Sequence, residues 1–318
     1  MRSRAKGPAG RTLPDRQNLA HNGSMDDLDR IGAAYLDRLT EADLRALVHA
    51  DEVSLAEADA RIQALRRAPA LLLDALDRPA VSAGLLNLAS AAAPQRFTLI
   101  SPFLVFAAAI HRIAADLGRS GYVPERTAPR LLVPVFDGPQ LSAYLAEPAR
   151  RLFLADLLAS FARSSSGVIV TQTASGLRRR RWNDLDLLRL ASLLDALPEQ
   201  QRSPVWRRLG DLALFLTGVF PAALERSLAG RLDPARLAMT TGLAPPAPGL
   251  NPAELFEWFG ASWYRLAARR SSAASQAAAA LRDNAEHIHE ARRVLNATTD
   301  RYLMPVSIGW LQPPGGPA

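Results

Sequence analysis

The stretch from Ser203 to Pro221, SPVWRRLGDLALFLTGVFP, most constrains how this chain can fold. Ser203 and Pro204 supply an N-cap and a proline at the first helical position, which together predict a helix start. On a helical wheel the apolar residues cover one face at the start and nearly the whole circumference at the end. The run is shorter than the roughly 20 apolar residues that cross a bilayer. We therefore predict the core helix of a helical protein.

The segment just before it predicts the partner of this helix. Asn183 or Asp184 can cap the segment, and Pro198 ends it. Seven leucines between residues 185 and 197 recur at helical spacing. We expect the two helices to form the centre of the fold.

Helical periodicity recurs over most of the chain and predicts an all-α fold, a multi-helix bundle. Thr40 to Asp43 resembles a capping box, and Pro102 and Gly118 bound an apolar helix. Prolines at 129, 134 and 139 disfavour both a helix and a central strand, so this segment is expected to cross the surface in an extended form. Further helices are predicted at 25–39, 41–49, 55–67, 70–77, 79–90, 99–118, 140–146, 148–163, 222–230 and 234–240.

One small β-hairpin interrupts the helices at about residues 167–182, GVIVTQTASGLRRRRW. The β-branched run favours a strand, and Ser175-Gly176 favours a tight turn. With that turn, Thr173, Thr171 and Ile169 would oppose Arg178, Arg180 and Trp182. We expect this to be the only hairpin in the chain.

Composition shifts divide the chain into five segments. Residues 1–24 predict a disordered basic tail, and 25–242 predict the main helical domain. Residues 243–250 are predicted to form a Pro-rich linker. Residues 251–304 are predicted to form a C-terminal helical segment that begins with a capping box. Residues 305–318 predict a loose tail. The C-terminal segment either packs against the main domain or mediates self-association.

Composition excludes several kinds of chemistry. The chain has no cysteine, which rules out disulfides, thiolate catalysis and Cys-based metal sites. The net charge is +7, and the first 24 residues carry five cations against one acid. Lys6 is the only lysine, and arginine usage of this kind indicates a GC-rich bacterial genome. Because no apolar stretch follows the basic start, no export signal is predicted and we expect a cytoplasmic protein.

Four consecutive arginines in the hairpin form the strongest candidate binding site. Their mutual repulsion needs compensation, which water and salt, or the nearby Asp184 and Asp186, could supply. The alternative is an anionic partner such as RNA, DNA, a phosphorylated ligand or an acidic protein surface. The candidate anion-binding residues are Arg178, Arg179, Arg180 and Arg181.

Two lone titratable residues lie in apolar helices. Asp211 could be a general acid, but the wheel places it on the polar stripe, which indicates an ion pair with Arg207 or Arg208. Asp156 falls on an outer helix face, so an Asp156/Asp211 acid pair is not predicted. A lone histidine such as His111 is typically packed and hydrogen-bonded rather than catalytic.

No complete catalytic or metal-binding motif is present. His287 and His289 would point about 160° apart on one helix, and Glu286-x-x-His289 lacks the second such motif of a di-iron bundle. Neither Asp-rich segment, at 25–30 or 183–187, completes the metal motifs of a terpene synthase. Phosphate-binding, dinucleotide and hydrolase signatures are missing as well. We therefore predict no catalytic residue, no cofactor and no metal, and favour a non-enzymatic protein.

Several segments resemble a group of uncharacterised proteins from GC-rich actinobacteria. They are SPFLVFAAAIHRIAADL, PRLLVPVFDG, RRLFLADLLASFAR and RRLGDLALFLTGVFP, and they cover most of residues 95–225. The resemblance implies a bacterial, cytoplasmic setting. It implies no activity, cofactor or site.

Three functional hypotheses remain open. The first is a helical interaction or regulatory protein that uses the aromatic stripe Phe256, Phe259 and Trp263 as a protein or self-association interface. The second is nucleic-acid or other anion binding through the basic hairpin. The third is an enzyme or binding protein for an apolar small molecule, with Asp211 or His111 as acid or base. No membrane association is expected.

Overall fold

The computed structural model describes residues 16–90, 100–128, 131–162, 166–173, 176–221, 224, 233–271 and 275–304. Helices make up most of this part of the chain, and its strands form small two-stranded antiparallel ribbons. The predicted all-α class with a hairpin near residues 167–182 is therefore confirmed. Of the predicted disordered tail at 1–24, residues 1–15 lie outside the described residues, whereas residues 16–24 are helical. The predicted tail at 305–318 and most of the predicted helix at 222–230 also lie outside the described residues.

The first part of the chain forms six helices. They are α1 (Arg16–Leu36), α2 (Glu41–Ala50), α3 (Ala58–Arg67), α4 (Ala70–Asp77), α5 (Pro79–Ser90) and α6 (Pro102–Leu117). The ribbon of β1 (Val123–Ala128) and β2 (Leu131–Val135) follows, and then α7 (Gly138–Leu145) and α8 (Pro148–Phe161).

The second part begins with the ribbon of β3 (Ser166–Thr173) and β4 (Gly176–Asn183). The remaining helices are α9 (Leu187–Ala191), α10 (Ser203–Val219), α11 (Pro234–Thr240), α12 (Pro252–Arg270), α13 (Gln276–Glu286) and α14 (Ile288–Thr298). A 3₁₀ turn spans Glu199–Gln201, and a π-helical turn at Thr299–Leu303 continues α14.

Local capping signals set several helix starts where the sequence predicts them. Thr40 and Asp43 form a reciprocal capping box, as do Asn251 and Glu254. The fully buried Asp43 also accepts a 2.6 Å hydrogen bond from the backbone N–H of Ser101, the N-cap of α6. One carboxylate thus joins the starts of α2 and α6.

Several helix boundaries differ from the sequence-based prediction. The N-cap of α10 is Arg202 rather than Ser203, and that of α9 is Asp186 rather than Asn183 or Asp184. α1 begins at Arg16, so Ser24 lies inside a helix rather than at its N-cap, because a cap preference of about 1 kcal/mol does not stop a helix that can continue.

α9 ends at Ala191 and is followed by turns up to Pro198, although the leucine spacing predicts one long helix. Leu187, Leu190, Leu193 and Leu194 are buried, whereas Leu188 is 41% exposed, so burial explains the spacing of these four leucines without one long helix.

α10 is the central helix, and it is buried from Leu209 to Val219. It lies against α12 and α14, and glycines allow the close approach. A Cβ on Gly210 would lie 2.7 Å from the ring of Tyr264, and one on Gly218 would lie 2.6 Å from Cβ of Leu295. Ser203 at the start of α10 donates to the carbonyl of Ala267 near the end of α12.

The C-terminal helices complete the same hydrophobic core as the rest of the chain. Phe256, Phe259 and Trp263 of α12 belong to the cluster that contains the buried residues of α6, α8 and α10. Leu243 and Leu250 of the predicted linker pack on this cluster. Of the two roles predicted for residues 251–304, the structure therefore shows packing against the main body.

The two ribbons correct details of the predicted strand structure. The β3–β4 ribbon closes between Thr173 and Gly176 and pairs Thr171 with Arg178 and Ile169 with Arg180. The predicted register was wrong by two residues because Gly176 belongs to the strand and not to the turn. The proline-containing segment forms the second ribbon, in which Pro124 faces Pro134. Both strands of a two-stranded ribbon are edges, where proline is tolerated.

The Gly218 contact gives a stability prediction. Gly218→Ala should lower the free energy of unfolding by about 1–3 kcal/mol, because a Cβ-to-Cβ approach forces two packed helices apart. Gly118→Ala is the matched control, since its Cβ would meet ordinary contacts and its φ of −62° suits alanine. The control should be neutral or stabilising by up to about 1 kcal/mol. Urea unfolding of both variants measures the difference, and equal effects would contradict the close contact.

Candidate functional site

The basic ribbon is anchored to the helical body by the residues that follow it. Asp184 is buried and forms an ion pair with Arg208 of α10 at 2.8 Å. The guanidinium of Arg208 in turn lies 3.7 Å from the ring centroid of Phe161. Asp186 caps α9 by accepting from the N–H groups of Leu188 and Arg189. The two acids predicted to compensate the arginines thus have described partners on α9 and α10.

One face of the ribbon is open to solvent. Val168 and Val170 are 44% and 52% exposed, and Arg179 is exposed. Val170 pairs with Arg179 and Val168 pairs with position 181, so the register places these four positions on one face. Positions 178 and 180 belong to the opposite face, and the side chains of Arg178, Arg180 and Arg181 lie outside the described residues.

Asp211 is buried, with 7% of its surface exposed, so its placement on a solvated stripe was wrong. The reason is that α12 crosses the start of α10 and brings the Tyr264 hydroxyl to Asp211 Oδ1, to which it donates at 2.9 Å. The predicted partner Arg207 is present, with its Nε 3.8 Å from Oδ2. Burial raises the pKa of Asp211, and the nearby charge of Arg207 and the Tyr264 hydrogen bond only partly oppose this rise.

His111 is part of a buried polar chain. Its Nδ1 lies 2.7 Å from the carboxylate of Asp77, and its Nε2 lies 3.1 Å from the Tyr35 hydroxyl. Arg151 forms an ion pair with the same carboxylate. Burial lowers the pKa of His111, although the bond to Asp77 favours the protonated form. The neutral ring therefore donates to Asp77 and accepts from Tyr35, which joins α1, α4 and α6.

The aromatic stripe predicted as a protein interface lies in the core. Phe256 is 1% exposed, and Phe259 and Trp263 are fully buried. Phe259 and Trp263 stack on each other with centroids 4.9 Å apart. Their spacing is that of a helix–helix interface, and the interface is internal, with α10 and α14. The prediction that this stripe is a surface for a partner is therefore wrong.

His287 and His289 are separated by a break between α13 and α14, so they do not share one helix. His287 lies beside Arg150, which forms a two-bond ion pair with Asp283. His289 lies 3.1 Å from Glu257. Among the described residues, no group of His, Asp or Glu side chains has the arrangement of a metal site.

A cleft of about 290 Å³ opens between α1, α8 and α13. Its wall is apolar, and Arg38 and Asp156 form an ion pair at 2.8 Å on one side. Arg207 reaches the cleft from α10, which brings the Asp211–Tyr264 pair next to it. The lining residues are Arg30, Ile31, Ala34, Arg38, Ala149, Leu152, Phe153, Asp156, Arg207, Gln276, Ala277, Ala280 and Leu281.

A second cleft of similar volume lies between α6, β1 and the end of α14. Ile113, Leu117 and Val123 supply its apolar wall. Beside it, Asp116 accepts from Arg119 and from the hydroxyl of Tyr302. The buried carboxylate of Asp116 is thus the shared acceptor for polar side chains at this end of α6.

Comparison with known proteins gives no functional relative. No protein-family model, curated protein or solved structure matches the chain. The resemblance to an actinobacterial group therefore stays a prediction. Among the described helices, none is long and apolar enough to cross a membrane.

The cleft between α1, α8 and α13 was not predicted from the sequence. Its residues come from four helices and share no motif, so only their three-dimensional arrangement brings them together. One signal was available, because the alanine-rich start of α13 offers side chains too small to fill a space between helices. The Tyr264–Asp211 pair was missed for the same reason, since 53 residues separate its members.

The lowered pKa of His111 predicts a specific pH dependence of stability. Because the folded-state pKa lies below the ordinary value of 6.5, the unfolded state binds more protons as the pH falls through about 6.5. The stability from His111 is complete above that value and declines below it, by at most about 1.4 kcal/mol per pH unit. Urea unfolding of His111→Gln at about pH 7.5 and 5.5 should therefore show a smaller acid loss than wild type.

His289→Gln is the matched control for that experiment, with the opposite sign. The hydrogen bond to Glu257 raises the pKa of His289, so its contribution is complete below 6.5 and is lost as the pH rises. Replacing His289 should therefore enlarge the loss of unfolding free energy at acid pH. If both substitutions changed the acid loss in the same direction, the opposite pKa shifts assigned to His111 and His289 would be contradicted.

The Asp211–Tyr264 pair predicts unequal effects for two small substitutions. Tyr264→Phe leaves a buried carboxylate oxygen without its donor and should cost about 1–3 kcal/mol of unfolding free energy. Asp211→Asn keeps an acceptor for the hydroxyl and removes a buried charge, so it should cost less. Urea unfolding near pH 7 compares them, and a larger loss in Asp211→Asn would show that the charge itself stabilises the fold.

Proposed function

We propose that this protein is a cytoplasmic, non-enzymatic binding protein that holds double-stranded DNA with the exposed face of its basic ribbon. The observation that carries the proposal is the composition of that face. It presents Val168, Val170 and Arg179 to solvent together, with Arg181 at the fourth position. The clustered cations supply charge for phosphates, and the exposed valines beside them can contact apolar groups of the bases.

The dimensions of the ribbon suit a DNA groove. The B-DNA major groove, about 12 Å wide, admits a two-stranded β-ribbon. Arg179 and Arg181 lie two residues apart on β4, so their positions are about 6.8 Å apart on one face. Arg179 and Arg181 can therefore meet phosphates at a regular spacing, and the valines can contact thymine methyl groups.

The other two hypotheses have less support from the described residues. The interaction hypothesis relied on Phe256, Phe259 and Trp263, which are buried in the core. The enzyme hypothesis relied on His111 and Asp211. Both are buried, and their hydrogen bonds to neighbouring side chains account for their presence.

Salt-dependent DNA binding tests the proposal. The equilibrium constant for a duplex should fall steeply between about 50 and 200 mM salt, with each arginine–phosphate contact adding about 0.9 to the logarithmic slope. Changing Arg179 and Arg181 together to serine should reduce the slope by about 2. Fluorescence anisotropy with a labelled duplex measures both values.

Two further variants with the same change in charge serve as controls. Arg178→Ser with Arg180→Ser alters the opposite face and should have the smaller effect. Arg45→Ser with Arg236→Ser removes exposed arginines of α2 and α11 and should leave the slope unchanged. Equal slopes in all variants, or preferred binding to single-stranded RNA, would overturn the proposal.

A further inference from the structure

The cleft between α1, α8 and α13 exists because one of its walls is built from small side chains. Ala277 and Ala280 of α13 are exposed and face the cleft, while Ile31, Leu152 and Phe153 line it from α1 and α8. Larger residues at the two alanine positions would fill the space. The structure thus leaves an apolar surface open at the junction of three helices.

The arginines around the cleft differ in how strongly they are held. Arg38 makes two hydrogen bonds to Asp156, at 2.8 and 3.2 Å, and one to the carbonyl of Ala34. It is a fixed part of the wall. Arg30 forms an exposed ion pair with Asp27 within α1, a kind of pair that contributes little.

Arg207 is the cation best placed to accept a ligand. Its nearest described acid is Asp211, and their Nε–Oδ2 distance of 3.8 Å is too long for a hydrogen bond. About half of the Arg207 side chain is exposed, so its fork of N–H donors is accessible from the cleft.

Arg207 and Arg30 line the cleft from different helices, Arg207 from α10 and Arg30 from α1. Ile31, Leu152 and Phe153 supply the apolar part of its wall.

We propose that this cleft binds a small amphipathic anion, with its charged head at Arg207 and its apolar body against Ile31, Leu152 and Phe153. Arginine pairs with carboxylates and phosphates through two parallel hydrogen bonds, so both head groups share the required chemistry. The volume of about 290 Å³ lies at the small end of the range for ligand pockets. The site shares no residue with the ribbon face, so it is independent of DNA binding.

Isothermal titration with four eight-carbon probes tests the chemistry of the ligand. Octanoate fills about the volume of the cleft, at roughly 30 Å³ per non-hydrogen atom. It should bind with one site per chain, whereas 1-octanol should bind at least about tenfold more weakly and octylammonium should not bind. Octyl phosphate, measured in parallel, distinguishes a phosphate from a carboxylate head.

Three variants test the location of the site. Arg207→Gln should weaken octanoate binding by at least about tenfold. Arg30→Gln removes the same charge from the α1 side of the cleft, where Arg30 is already paired with Asp27, and should leave affinity within about twofold. Ala280→Leu should abolish binding by filling the cleft, with an unchanged thermal midpoint because the position is exposed. If Ala280→Leu lowers the thermal midpoint, Ala277→Leu is measured in its place.

Three results would overturn the proposal. The first is no octanoate binding at millimolar concentration, and the second is equal binding of octanoate and 1-octanol. The third is unchanged affinity in the folded leucine variant. Equal losses of octanoate affinity in Arg207→Gln and Arg30→Gln would overturn the assignment of the head group to Arg207. None of these results depends on whether the ribbon binds DNA.

Discussion

The close packing of α10 against α12 and α14 is the constraint on which the rest of the structure depends. Gly210 and Gly218 have no side chain where Tyr264 and Leu295 approach, so the helices meet more closely than larger residues would allow. This packing buries Asp211 beside Tyr264 and encloses the aromatic residues of α12. The C-terminal helices thereby become part of the core rather than an appendage.

Arginine has a structural role throughout this helical body. Pairs such as Arg38 with Asp156, Arg150 with Asp283 and Arg208 with Asp184 each join segments far apart in the sequence. Arg208 and Arg150 also lie over aromatic rings. A planar guanidinium suits such partly buried sites because it can bond and stack at once. Arginine thus joins distant segments of the fold, while other arginines, such as Arg45 and Arg236, are exposed on helix surfaces.

Local signals in the sequence predicted much of the fold. The capping boxes at Thr40 and Asn251, and the Ser101-Pro102 start of α6, depend on residues within one helical turn, which a sequence displays directly. The hairpin follows from β-branched residues and a turn. Its register could not be fixed, because whether Gly176 lies in the turn or in the strand depends on the pairing itself.

The candidate sites depend on tertiary contacts and were less predictable. An aromatic stripe at helical spacing indicates that a face is covered but not by what, and the stripe that contains Phe259 is covered by the protein's own core. A helical wheel treats α10 as if only one side were packed, so it misplaced Asp211. The arginine run was visible in the sequence, whereas the exposure of Val168 and Val170 beside it was not.

The buried Asp43 has a consequence for how the protein opens and closes. Its carboxylate bonds to the backbone of Thr40 and of Ser101, so it ties together residues about 60 positions apart. The cap of α2 and the cap of α6 therefore cannot loosen separately without leaving a buried charge partly unbonded. Amide hydrogens at the two helix starts should therefore exchange with solvent in one cooperative opening.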